Sequence, residues 1–127
     1  MPTRGMLVKL MQSEIGGVPL LVIEGDLDQS SKQVVRDAVL DALQGPFATG
    51  SVLVDLTDCT FLDSGGISVL LTALSNLRED GWLGLVGASP TTAQTLTYAG
   101  LDGNDKVRTF SSTSDAAATL SREKKLG

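Results

Sequence analysis

Two short stretches, Val52-Leu53-Val54-Asp55-Leu56 and Phe61-Leu62-Asp63-Ser64-Gly65-Gly66-Ile67, decide how this chain folds. The first is β-branched and apolar, and predicts a strand over Ser51–Leu56. Thr57–Thr60 reads as a loop. Asp63 has the chemistry of an N-cap, because its carboxylate can accept from backbone N–H groups one turn on. The helix it opens is expected to run to about Glu79, with Ile67, Leu70, Leu71, Leu74 and Leu77 as its core stripe. Strand, loop and helix together put Ser64 at the first helical position, beyond the carboxyl end of a strand.

Working outward, the same alternation repeats. Gly5–Gln12 and Pro19–Glu24 predict two strands joined by the Gly16-Gly17 turn, with an acidic loop over Gly25–Ser30. Ser31–Leu43 has helical spacing, with Val35, Ala38, Val39 and Ala42 on one face and Gly45-Pro46 as its stop. Trp82–Val86 predicts a strand. Ser89-Pro90 opens a helix with Leu96, Tyr98 and Ala99 inward, closed by Gly100. Lys106–Phe110 predicts another strand, and Ser114-Asp115 caps a final helix over Ala116–Arg122. Strands alternating with helices imply an α/β fold. The expected sheet is mostly parallel, of four to five strands, with an antiparallel edge and about four helices. Residues 1–127 form one domain, with 1–4 and 123–127 as flexible ends.

Composition narrows the function. The 127 residues carry a net charge of −5 and no histidine. An acidic chain lacks the clustered Lys and Arg that neutralise nucleic-acid phosphates or dock on anionic lipid. Without histidine the commonest general base and metal ligand are missing, so neither catalysis nor a metal site is expected. Leu62 stands where a hydrolase nucleophile elbow needs glycine, and no Gly-Lys-Ser/Thr phosphate loop follows any strand. No cofactor is implied. The single cysteine, Cys59, rules out an internal disulfide and suits a reducing cytoplasm. Met1–Met6 lacks the apolar core of a signal peptide.

A helix N-terminus holds unpaired N–H groups and partial positive charge, which suits a phosphate. Ser64 there is therefore a candidate phosphoacceptor. Taken alone, Asp63-Ser64-Gly65-Gly66 reads first as an ordinary helix cap.

The wider pattern adds to that. Val54-Asp55-Leu56, Phe61-Leu62 and Asp63-Ser64-Gly65-Gly66-Ile67 follow Gly25-Asp26-Leu27-Asp28 in order and at fitting spacing. Together they resemble the STAS family, and within it the anti-sigma factor antagonists. The resemblance covers nearly the whole chain and implies the STAS fold. It also implies a bacterial partner-switching protein that binds an anti-sigma factor of the serine-kinase type and so frees a sigma factor. By the same resemblance Ser64 is the residue phosphorylated, which ends binding, and a phosphatase resets it. Gly65 departs from the pattern, since the family usually has Ser or Thr there.

Asp26, Asp28, Asp63, Gly65, Gly66, Val69 and Ala73 are the candidate partner-binding residues. The glycines would let another backbone approach Ser64. Val69 and Ala73 are read with Gly66 and Asn76 as either a docking face or a face packed on a neighbouring helix. Asp26 and Asp28 also read as turn and cap residues. Ser68, a turn further along, is the alternative acceptor. A STAS accessory subunit of a transporter or of a stress-signalling complex is the competing function.

Overall fold

The computed structural model describes residues 8–45 and 48–126. The expected strand start at Gly5, the loose end at 1–4, Pro46 and Gly127 lie outside them. The elements are β1 (Lys9–Ile15), β2 (Val18–Leu27), α1 (Lys32–Gln44), β3 (Val52–Asp55), β4 (Cys59–Leu62), α2 (Ser64–Ser75), β5 (Leu83–Val86), α3 (Pro90–Tyr98), β6 (Val107–Phe110) and α4 (Thr113–Leu126).

The sheet runs β1-β2-β3-β5-β6, with β4 paired to β2 off that path. Among the described residues only β1 is antiparallel; β2, β3, β4, β5 and β6 run parallel, as the alternating order requires. The β1–β2 hairpin closes through Gly16 and Gly17, whose φ values of 59° and 85° are the left-handed pair that a two-residue hairpin favours.

The apolar runs have no polar alternation because both faces of the sheet are covered. Leu21, Ile23, Val52, Val54, Leu83 and Leu85 pack with Val35, Val39, Val69, Leu70 and Leu96 from α1, α2 and α3. Their strand neighbours Leu20, Leu53, Val86 and Phe110 pack on the other face with Ala116 and Leu120 of α4. On this second face Arg108 lies against the Trp82 ring at 4.7 Å and the Phe110 ring at 5.3 Å. It also pairs with Glu123.

Several elements differ from expectation. The stretch read as a loop and two flanking residues is partly a strand: β4 pairs in parallel with the far end of β2, across a register shift between Gly25 and Asp26. Helix α1 buries Leu43 with Val35, Ala38 and Val39, and leaves Ala42 half-buried. Helix α2 stops at Ser75 rather than Glu79. Tyr98 points outward at 80% exposure, while Leu96 is buried. Helix α4 starts at Thr113, where the Ser112 hydroxyl accepts from Asp115 N–H at 3.0 Å, and it continues four residues past Arg122.

The largest revision is the buried face of α2. Gly65, Gly66, Val69, Leu70 and Ala73 are buried, whereas Leu71 is 42% exposed and Ile67, Leu74 and Leu77 are half-buried. Of the expected stripe only Leu70 is wholly inside. Val69 and Ala73 are core residues in the α1–α2 layer, and are not a docking face.

Candidate functional site

Ser64 is the first residue of α2 and is exposed. Asp63 caps the helix as expected: its Oδ1 accepts from Gly65 N–H at 2.7 Å and Gly66 N–H at 3.2 Å. The parallel strands bring the β2–α1 loop to the same end of the sheet. There Gln29 Nε2 donates to Ser64 Oγ at 3.3 Å.

A depression beside Ser64 is lined by Asp26, Asp28, Gln29, Ser30, Phe61 and Asp63. Three carboxylates and no basic side chain line it. Asp26 is half-buried and accepts from the Thr60 hydroxyl at 2.8 Å. Asp28 works within its own loop. Its Oδ1 accepts from the Ser30 hydroxyl at 2.6 Å, Ser30 N–H at 3.0 Å and Ser31 N–H at 3.2 Å. The Ser30 hydroxyl chiefly, with the Ser30 and Ser31 N–H groups, holds the Asp28 carboxyl below the usual carboxylate range against the opposing effect of burial. The turn reading of Asp28 is thus met in the geometry, and its carboxylate is already engaged.

The glycines do not open the site to a partner backbone. Both are buried, and the backbone that approaches them belongs to this chain. A Cβ on Gly65 would sit 2.8 Å from Gln29 N, 2.9 Å from Gln29 Cα and 3.0 Å from Asp28 C. One on Gly66 would meet Leu62 Cδ1 and lie 2.5 Å from the Leu27 carbonyl oxygen. The pair lets α2 press against the end of β2, which fixes Ser64 relative to Asp26 and Gln29.

Ser68 is half-buried and its hydroxyl donates to the Gly65 carbonyl at 2.7 Å. Ser64 Oγ accepts from Gln29 Nε2, and the residue is exposed. Among the described residues no cluster of three or more His, Cys, Asp or Glu forms a metal site, and no helix is long and apolar enough to cross a membrane.

Sequence reading missed Gln29 and Phe61. Gln29 follows directly on the Gly25–Asp28 motif, so its place on the loop was visible but its reach to Ser64 was not. Phe61 is 51% exposed at the rim of the depression. The outward stripe of α2 was also missed: Ser64, Leu71 and Ser75 are exposed, with Ile67, Ser68 and Thr72 half-buried between them.

Comparison with known proteins agrees with this architecture. The family model described as "Mlab, STAS domain" matches residues 10–109. No curated protein matches the sequence. An anti-sigma-factor antagonist (STAS) domain protein from Planctomyces limnophilus superposes with a TM-score of 0.75 at 21% identity, over 87% of this chain and 96% of that one. The Bacillus cell fate determinant SpoIIAA in its phosphorylated form gives a TM-score of 0.58 at 21% identity, over 80% and 90%. The murine anion transporter Slc26a9 gives 0.68 at 20% identity, over 87% of this chain but 18% of the transporter. At such identities the structural likeness speaks for the fold alone. The family match spans most of the chain, from β1 to β6, and takes in helices α1, α2 and α3. The chain belongs to the STAS domain family.

Proposed function

We propose that this protein is an anti-sigma factor antagonist that docks on an anti-sigma factor of the serine-kinase type and is switched off by phosphorylation of Ser64. In that cycle docking frees a sigma factor in the bacterial cytoplasm, and a phosphatase restores the hydroxyl. The observation that carries the reading is the exposure of Ser64 at the start of α2 while Gly65 and Gly66 beside it are buried. An enzyme can reach the hydroxyl without unfolding anything. The likeness to an anti-sigma-factor antagonist, and to SpoIIAA in its phosphorylated form, supports it.

In the transfer step Ser64 Oγ attacks the γ-phosphorus of ATP. The bond to the β–γ bridging oxygen breaks, ADP leaves, and the hydroxyl proton passes to a base of the kinase. The product adds about 1.5–2 negative charges at neutral pH. They arrive beside Asp63 and close to Asp26 and Asp28, while the start of α2 offsets them by about 0.3–1 kcal/mol. The docking surface in this reading is the outward stripe of α2, with Leu71 as its apolar contact, together with Asp26, Asp63 and the exposed ring of Phe61 at the rim. Phosphate at the head of that stripe repels an acidic or closely fitted partner and leaves the core untouched. Gly65, Gly66, Val69 and Ala73 then serve docking only by shaping this surface from within.

Incubation with a candidate anti-sigma kinase and ATP, read by mass spectrometry, tests the proposal. Phosphate on Ser64, absent in Ser64→Ala, is the expected result. Ser64→Asp is expected to weaken binding of the anti-sigma factor, and an unchanged affinity would count against charge repulsion. The competing reading, a STAS module serving a transporter, draws on the likeness to Slc26a9. Co-purification with an integral membrane transporter, with Ser64→Ala and Ser64→Asp equally bound, would favour it.

A further inference from the structure

Gly65 and Gln29 are coupled through space. A side chain at 65 would run into backbone N and Cα of Gln29. These atoms cannot rotate away as a flexible side chain would, so the β2–α1 loop can lie this close only over a glycine. The closeness has a product: Gln29 Nε2 reaches Ser64 Oγ at 3.3 Å. Asp28 keeps the loop in shape through its three bonds to Ser30 and Ser31, so the Gln29 side chain departs from a braced turn.

We propose that Gln29 is a positioning residue for Ser64, that its amide receives the phosphoryl group once Ser64 carries one, and that Gly65 is the residue that permits this. The inference rests on the reading of Ser64 as the phosphoacceptor and deepens it. With a neutral hydroxyl the Gln29 contact is long and weak. With a phosphate oxygen the same N–H donates to a charged acceptor, and such bonds are shorter and roughly twice as strong. Gln29 therefore favours the phosphorylated form over the free one. Its amide is an uncharged donor in a depression that the carboxylates of Asp26, Asp28 and Asp63 share with Ser30 and Phe61. Gly65 thereby acquires a role.

The test installs phosphoserine at position 64 by amber suppression, so that no kinase is needed, and follows the phosphorus-31 shift against pH. The dianion of free phosphoserine takes up a proton near pH 6. Gln29→Ala is expected to raise that midpoint by about 0.5, and Gln29→Glu by about 1, because a carboxylate then faces the dianion. Gly65→Ala is expected to match Gln29→Ala, and the double variant to add less than about 0.2 beyond either, since both remove one contact. A Gln29→Ala midpoint within about 0.1 of the native sequence overturns the proposal, as does full additivity of the two changes. Gln29 is exposed, so its variants decide the matter even if Gly65→Ala folds poorly. The two readings fail separately. Absence of phosphate on Ser64 after kinase treatment rejects the switch, whereas an unmoved phosphorus midpoint rejects Gln29 alone.

Discussion

Replacing Val69 and Leu71 by alanine, one at a time, asks which face of α2 is inside. Val69 has no exposed surface and Leu71 is 42% exposed. Val69→Ala removes two methyl groups, about 1.6 kcal/mol of transfer free energy. A residual cavity of about 50 Å³ adds about 1.2 kcal/mol where neighbours cannot close in. The better helix propensity of alanine returns about 0.6 kcal/mol. The net loss is about 2 kcal/mol. At about 2.1 cal/mol/K per residue the unfolding entropy of the 127-residue chain is about 0.27 kcal/mol/K, so the melting temperature falls by about 7 °C. Leu71→Ala removes more carbon, but from a half-wet position that leaves no sealed cavity, and costs at most about 1 kcal/mol, or about 4 °C. Urea unfolding monitored by circular dichroism measures both, with an unchanged m-value for each. If Leu71→Ala is as damaging as Val69→Ala, the orientation of α2 given above is wrong. Leu71→Ala should instead weaken binding of the partner, an effect that thermal melting does not see.

Two further outcomes follow from local chemistry. The folded carboxyl of Asp28 titrates below its unfolded value of about 3.9, so its contribution to stability is complete above that pH and disappears as pH falls through the lower folded value. Asp28→Asn should therefore flatten the acid limb of a stability-against-pH curve below about pH 4, and a limb of unchanged steepness would refute the Asp28–Ser30 bond as its source. Burial pushes the Cys59 thiol up, and only 6% of the residue is exposed. Alkylation by iodoacetamide at pH 8 should be at least about 100-fold slower in the native protein than in urea, whereas equal rates would show that β4 is open in solution.

The order of strands and helices was legible because it is written in uninterrupted apolar runs and in capping residues. Asp63 and Ser89 both cap as their chemistry dictates, and Ser89 accepts from Thr92 N–H at 3.2 Å. β4 escaped notice because only its first and last residues are buried, and four residues with two outward positions give no alternation to read. Helix α2 misled for the opposite reason. Ile67, Val69, Leu70, Leu71, Ala73 and Leu74 spread apolar side chains over more than half of the helix, so periodicity alone does not select which part of that arc is buried. A different signal was present. Gly65, Gly66, Val69 and Ala73 are the small residues of one face, and small residues mark where a helix comes closest to its neighbours. Ser64 was found from its place in a motif. Its contact with Gln29 depends on how near the loop lies, a distance that no pattern of residue types encodes.

The register shift in β2 bears on where this chain tolerates a change of length. Strand β2 pairs with β3 through Leu20–Val22 and then with β4 through Gly25–Leu27, and the shift between Gly25 and Asp26 sets which side chains turn inward beyond it. Side chains on a strand alternate, so one residue added or removed there exchanges the places of Asp26 and the fully buried Leu27. An insertion would then put a carboxylate into the core and a leucine at the depression beside Ser64. At the Gly16-Gly17 turn, at the other end of the same strand, a Cβ on Gly17 meets nothing within 4 Å and one on Gly16 meets only the Leu120 side chain, at 3.5 Å. Epitope tags, fluorophores and natural insertions therefore belong at that turn, while the stretch from Gly25 to Asp28 admits substitutions but no change in count.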